Sequence, residues 1–93
     1  MSKNQRQFPR EEIQVEVELR FLEEEARTLI TRDLSEGGLF MRLKNSDHYP
    51  IGEMVNLYYK NPLADYEETE KDGIIVRKTD DGLAVAFIEI DGF

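Results

Sequence analysis

Residues 13–21 read Ile13-Gln14-Val15-Glu16-Val17-Glu18-Leu19-Arg20-Phe21, and apolar and polar side chains alternate throughout this stretch. A period of two residues is typical of a β-strand with one buried and one exposed face. Outward from this stretch, further short runs rich in β-branched and aromatic residues predict five more strands. These cover residues 26–32, 39–43, 53–60, 73–78 and 83–88.

The segments between these runs predict turns and loops rather than helices. Asp80-Asp81-Gly82 indicates a hairpin with a primed turn, in which glycine supplies a positive φ. The acidic residues 64–72 predict an exposed, mobile connection. Six short strands with tight turns predict an all-β fold, a small six-stranded antiparallel β-barrel, because closure leaves few bare strand edges. We expect one domain, with residues 1–12 as an N-terminal arm and residues 13–93 as the barrel.

Composition excludes several classes of protein. The 93 residues include no cysteine, so neither disulfides nor thiolate chemistry is available. The net charge of −8 predicts repulsion from long nucleic acids and from anionic membranes. The sequence contains no apolar run of the ~20 residues that span a membrane and no signal peptide, so we predict a cytoplasmic protein.

The N-terminal arm differs in charge from the rest of the chain. Before residue 11 every charged side chain is basic, namely Lys3, Arg6 and Arg10. A basic arm on an acidic body attracts a small dianion while the body repels a long polyanion. Arg6 and Arg10 form an RxxxR motif, and a guanidinium fork fits both a guanine Hoogsteen edge and a phosphate. Solvated surface arginines are the simpler alternative.

A second motif lies in a predicted turn between two strands, at residues 33–38. Asp33 can accept hydrogen bonds from guanine ring nitrogens, and Ser35 can donate to a phosphate or a base. Gly37 and Gly38 lack a Cβ, so backbone amides there can approach a ligand closely. Ordinary turn chemistry also explains an aspartate and a serine at such positions, and both interpretations can hold together.

These motifs resemble those of the PilZ family, bacterial receptor domains for cyclic di-GMP. RxxxR is represented by Arg6 and Arg10, and DxSxxG by Asp33, Ser35 and Gly38. The resemblance extends to a Gly-x-x-Val-x-Leu segment and to the closing strand, at residues 52–57 and 82–87. It implies a six-stranded barrel that binds cyclic di-GMP between the arm and the turn. Many members carry a basic residue where this chain has Gln5, so one bound molecule and a stacked pair both stay open. The chain ends at Phe93, without the C-terminal helix that often packs on the barrel, so a minimal version of the domain and a removed extension both stay open.

Other residues offer weaker candidates. Two arginines are candidate auxiliary contacts, Arg32 next to the second motif and Arg42 on the following strand, although solvation is the favoured interpretation for both. His48 is the only histidine and has neither a second histidine nor a nucleophile near it in the sequence. The sequence contains no P-loop, dinucleotide fingerprint, zinc motif or catalytic triad. We therefore predict that the protein is not an enzyme and uses no cofactor or metal.

Three functions follow as hypotheses. The first is a cyclic di-GMP receptor whose arm orders over the ligand and creates a surface for an unidentified protein partner. The second is a PilZ-like adaptor that binds proteins without the ligand, which the complete motifs disfavour. The third is a single-strand nucleic-acid barrel, which the acidic charge and the lack of interleaved aromatic and basic positions disfavour.

Overall fold

The computed structural model describes residues 12–21, 23–44 and 48–88, and these form a closed antiparallel β-barrel. Its strands are β1 (Glu16–Arg20), β2 (Arg27–Leu34), β3 (Gly38–Arg42), β4 (Met54–Asn61), β5 (Glu67–Thr79) and β6 (Gly82–Ile88). The strand order around the barrel is β1-β2-β3-β6-β5-β4. The predicted all-β, six-stranded barrel is confirmed. Arm residues 1–11 lie outside the described residues.

The core follows the alternation that the sequence predicts. Val17, Leu19 and Phe21 are buried, while Ile13 and Val15 pack against the core from its edge. Thr31 of β2 holds this edge: its hydroxyl donates to the Ile13 carbonyl at 2.6 Å and accepts from the Val15 amide at 2.9 Å. Residues 13–15 are therefore attached to β2 before β1 begins, which fixes where the arm joins the barrel.

Strand β5 is twice as long as the sequence predicts, so the exposed, mobile connection over residues 64–72 is wrong. A short 3₁₀ helix, Pro62–Ala64, turns the chain, and β5 then pairs with β4 from Glu67 onward. Polar side chains join the two strands, since the Asn56 amide donates to Glu70 and Asp72, each at 3.0 Å. The acidic residues are the outer face of a strand.

The β5–β6 hairpin contains no primed turn, which corrects a second prediction. Among the described residues, positive φ angles occur at Gly52, Asp65 and Tyr66 and not in the hairpin. Glycine is needed at position 82 for a different reason. An added Cβ there would collide with the Met41 carbonyl oxygen and lie 2.9 Å from the Phe40 ring. Close approach of β3 and β6, rather than turn geometry, requires this glycine.

Aromatic side chains close one end of the barrel. Tyr49 is almost fully buried and meets Phe21 edge to face, with ring centroids 5.3 Å apart. His48 stays exposed, but its Nε2 lies 2.9 Å from a Glu24 carboxylate oxygen. The turn between β2 and β3 lies at the opposite end. The described part of the chain contains no helix long and apolar enough to cross a membrane.

Candidate functional site

The second motif begins in a strand rather than in a turn. The sequence predicts a turn over residues 33–38, but β2 continues through Asp33 and Leu34, and β3 starts at Gly38. Asp33 pairs with Phe40 in the β2–β3 ladder. The turn proper therefore consists of Ser35, Glu36 and Gly37, and Asp33 is held by sheet pairing.

A β-bulge at Arg32 determines which way the motif faces. The pairing register of β2 and β3 shifts between Thr31 and Asp33, which leaves Arg32 as the extra residue. Because Leu34 belongs to the core, the preceding residue, Asp33, faces outward from the barrel, where its surroundings leave it only 6% exposed. Phe40, its partner, shares that face.

Three side chains form a compact group on this outer surface. The Arg32 guanidinium lies 4.0 Å from the centroid of the Phe40 ring, and its Nε donates to Asp33 Oδ2 at 3.1 Å. The Asp33 side chain is only 9% exposed, whereas that of Arg32 is 39% exposed. The expectation of a merely solvated Arg32 is therefore wrong. The group presents a cation to solvent above a nearly buried carboxylate.

Backbone and hydroxyl hydrogen bonds hold the turn itself. The Ser35 amide donates to the Gly38 carbonyl at 2.9 Å, and the Gly37 amide donates to Ser35 Oγ at 3.1 Å. The Ser35 hydroxyl donates to the Gly38 carbonyl over a longer 3.3 Å. Phe87 of β6 ties the turn to the barrel, since its amide donates to the Gly37 carbonyl at 2.9 Å. Turn chemistry alone thus accounts for much of this motif.

Gly38 is required by the barrel. A Cβ added at this position would collide with the Val85 carbonyl oxygen and lie 3.2 Å from the Ala86 Cα. Both obstacles are backbone atoms of β6, the strand that pairs with β3. The motif's last glycine therefore allows two strands to approach each other.

Two recesses flank the motif. The first, about 450 Å³, lies beside the group on the outer surface and is lined by Glu12, Gln14, Arg32 and Arg42. Glu12 is the first described residue, so the arm joins the barrel at the wall of this recess. Two arginines from neighbouring strands and the base of the arm thus meet next to Asp33.

The second recess, about 220 Å³, lies at the barrel end beneath the turn. Ser35 and Glu36 form one wall, and Lys71 and Phe87 lie on another. The Lys71 ammonium is 5.7 Å from the centroid of the Phe87 ring. Lys71 is not among the predicted site residues, because the sequence pattern assigns residue 71 to a connection. Its place beside the turn follows from the pairing of β5 with β4, which no local sequence signal indicates.

The other predicted site residues lie outside the described ranges. Arg6 and Arg10 precede the first described residue, Glu12, and their positions stay predictions. Within residues 12–21, 23–44 and 48–88, no group of three or more histidine, cysteine, aspartate or glutamate side chains is arranged to hold a metal ion.

Tyr59 of β4, between the second recess and the core, makes a prediction about alkaline pH. Burial raises the pKa of Tyr59 from 10.0 to about 12, because the phenolate loses hydration there. The folded state then keeps this proton when the unfolded state loses it. The stabilisation of the folded state by protonated Tyr59 is complete below pH 10. It falls by up to about 2 kcal/mol as the pH rises toward 12. The free energy of unfolding, measured in urea from pH 10 to pH 12, should fall less steeply for Tyr59→Phe than for the parent. Identical pH profiles for the two proteins would contradict the raised pKa of Tyr59.

The comparisons with known proteins bear on the whole chain. The family model of the PilZ domain matches residues 4–92, which includes both motifs. The chain belongs to the PilZ domain family. PilZ domains are receptor and adaptor modules that include receptors for cyclic di-GMP, and some members act without the ligand. The resemblance stated from the sequence is thereby confirmed.

A solved structure shares the fold. The Bacillus subtilis inhibitor of motility, MotI or DgrA, superposes with a TM-score of 0.76 at 20% sequence identity. The alignment covers 96% of this PilZ chain and 44% of that protein, so the chain spans less than half of the protein it matches. No curated protein sequence matches.

Proposed function

We propose that this PilZ domain is a receptor module for cyclic di-GMP in bacterial second-messenger signalling. The ligand is clamped between the RxxxR motif of the arm and the DxSxxG turn. One observation carries the proposal: Arg32, Arg42 and Asp33 gather on the outer surface where the arm joins the barrel. A guanine base with a phosphate needs such a combination of cations and an acceptor.

Chain length supports the role of the arm. Arg10 is two residues from Glu12, so its Cα lies within about 7 Å of the Cα of Glu12. Glu12 itself lines the first recess. We therefore assign Arg10 to a ligand in that recess. Arg6 lies four residues before Arg10 in the sequence.

Each motif residue has a chemical role in the proposal. Arg10 or Arg6 binds a guanine edge bidentately, and the other contacts a phosphate or stacks on a base. Asp33 accepts from guanine N1–H or N2–H₂ by sharing its carboxylate with Arg32. The Ser35 hydroxyl exchanges its long bond to the Gly38 carbonyl for a ligand oxygen. Gly37, which carries no Cβ, lets the ligand approach the turn backbone, whereas Gly38 acts by letting β3 pack against β6 beside the site.

The proposal is tested by isothermal titration of the protein with cyclic di-GMP, with cyclic GMP–AMP and cyclic di-AMP for comparison. We expect micromolar binding, because two to four charge-assisted hydrogen bonds of ~1.5–3 kcal/mol each exceed the cost of ordering the arm. Cyclic GMP–AMP, which has one guanine, and cyclic di-AMP, which has none, should bind more weakly than cyclic di-GMP. A parent protein that gives no heat with cyclic di-GMP would leave the adaptor hypothesis in its place.

Arg10→Lys tests whether the ligand needs the forked hydrogen bonds of the Arg10 guanidinium or only its positive charge. Lysine keeps the positive charge but cannot form two parallel hydrogen bonds, so we expect binding about tenfold weaker or worse. Arg77→Lys, an exposed site on β5, is the matched control and should bind like the parent. If Arg10→Lys also binds like the parent, the arm acts only through its charge.

The remaining features of the proposal follow from the receptor role. The module has no enzymatic activity, uses no cofactor and acts in the cytoplasm, which the composition favours. Its output is a change of surface that a protein partner reads. Long nucleic acids and membranes are not partners, because residues 11–93 carry 20 acidic and 9 basic side chains, a net charge of −11 that the three basic residues of the arm reduce to −8.

A further inference from the structure

A groove of about 620 Å³ runs along the outer faces of β1 and β4 and shares Gln14 with the recess beside the proposed ligand site. Strand β4 stands opposite β3 in the ring of six strands, whereas β1 neighbours β2, which carries Asp33. Tyr58 and Tyr66 line the groove together with Glu16, Glu18 and Lys60. Nothing in the proposed receptor function uses this surface.

Acidic residues flank Tyr58 on both neighbouring strands. Tyr58 pairs with Glu18 of β1 on one side and with Glu70 of β5 on the other. A hydrogen bond to Glu68 raises the pKa of Tyr58 above 10.0, because the phenol donates it only while protonated. The Arg20 guanidinium already lies 5.8 Å from the ring centroid. This ring therefore sits in a field that favours cations.

An unusual backbone conformation presents the second tyrosine. Asp65 and Tyr66 have φ angles of 58° and 62°, in the left-handed region that favours glycine. The Tyr66 side chain is nevertheless 64% exposed, and its amide donates to the Asn61 carbonyl at 2.7 Å. Burial of the ring does not explain this strained position. A bulky residue there keeps an aromatic surface at the mouth of the groove.

Charge selects the occupant of the groove. The outer face of β1, β4 and the first half of β5 carries the carboxylates of Glu16, Glu18, Glu68, Glu70 and Asp72. Two basic residues, Arg20 and Lys60, lie among these carboxylates, and Arg20 is paired with Glu18 at 2.8 Å. A second copy of this acidic chain would be repelled, whereas a basic segment would be attracted.

We propose that the groove docks an arginine- or lysine-rich segment of a partner protein, with a cationic side chain on the tyrosine rings and neighbouring cations on Glu16 and Glu18. The rings supply cation–π contacts and the carboxylates supply charge-assisted hydrogen bonds. None of Asp33, Ser35 and Gly38 lines the groove, so a partner docked there does not cover the motif. This inference does not depend on the receptor function.

The test uses the full chain and a fluorescein-labelled peptide of alternating arginine and serine, followed by fluorescence anisotropy. The same peptide with citrulline in place of arginine controls for charge. We expect binding by the arginine peptide that weakens steeply with salt. The double variant Glu16→Gln/Glu18→Gln should bind about tenfold more weakly, and Tyr66→Gly about fivefold more weakly.

Two controls distinguish a defined groove from general attraction. Glu23→Gln/Glu25→Gln removes the same charge from the exposed β1–β2 loop and should bind like the parent. Tyr66→Gly should melt no lower than the parent, because glycine adopts the left-handed conformation freely. Equal losses in the groove and loop variants, or unchanged binding by Tyr66→Gly, would overturn the proposal. So would sedimentation that shows a dimer dissolved by Tyr66→Gly, since the occupant is then a second copy.

Discussion

Asp33→Ala is expected to weaken cyclic di-GMP binding by about 10-fold to 100-fold while the barrel stays folded. The carboxylate lies on the outer face of β2, held by Arg32 and by pairing with Phe40, at the base of the proposed site. A carboxylate that accepts one or two guanine N–H bonds contributes about 1.5–3 kcal/mol, which gives this loss of affinity. Isothermal titration at fixed salt measures the change.

Because Asp33→Ala removes a negative charge, the direction of the change in affinity distinguishes a specific contact from general electrostatic repulsion. Without a specific contact, loss of a carboxylate near an anionic ligand would strengthen binding. Asp80→Ala removes the same charge from the exposed β5–β6 turn and serves as the matched control. We expect it to bind as the parent does or slightly better. Asp33→Ala that binds as tightly as Asp80→Ala would show that Asp33 does not contact the ligand.

Folding of the Asp33→Ala variant follows from the exposure of its partner. The Arg32 side chain is 39% exposed, so water can solvate the guanidinium once Asp33 is gone. Its contact with the Phe40 ring also remains. We therefore expect a thermal midpoint within a few degrees of the parent, at roughly 4–8 °C per kcal/mol for a domain of this size.

The strands that the sequence predicts best are those with one apolar and one polar face. In β1, Val17 and Leu19 enter the core while Glu16 and Glu18 face solvent, and this alternation is visible in the sequence. Strand β5 begins instead with Glu67 and Glu68 and has Thr69 and Lys71 where apolar residues would be expected. Its first half lies at the barrel end, where inward side chains meet a recess rather than the core.

The site is predicted in composition but not in geometry. RxxxR and DxSxxG identify the residues, yet nothing in the sequence indicates the bulge that adds Arg32 to the group on the outer surface. Register depends on pairing between strands distant in sequence, which local patterns do not specify. Lys71 and Arg42 likewise reach the two recesses through long-range pairing. For the same reason, the sequence suggests that Gly38 gives a ligand access to the backbone, whereas the close approach of β6 to Gly38 depends on long-range pairing.

Gly38→Ala is expected to destabilise the barrel by about 3 kcal/mol. The new methyl group would meet the Val85 carbonyl oxygen, and backbone in a paired strand cannot move aside as a side chain does. A domain of this size has a total stability of about 5–15 kcal/mol, so the loss is a large fraction of it. Urea unfolding should show a lower midpoint, and the melting temperature should fall by roughly 10–20 °C.

Two further glycines show whether strand packing or ligand access explains this residue. Gly82 lies at the far end of the same β3–β6 pair, and a Cβ there meets the Met41 carbonyl oxygen, again a backbone atom. Gly82→Ala should therefore destabilise the domain as much as Gly38→Ala. At Gly73 the nearest atom is the Val85 Cγ1 methyl group, a side-chain atom, and the Ala86 carbonyl oxygen follows at 3.0 Å, so we expect Gly73→Ala to destabilise less than the other two changes. Should Gly38→Ala keep the parent's stability and lose only cyclic di-GMP binding, the glycine would serve the ligand and the packing argument would be wrong.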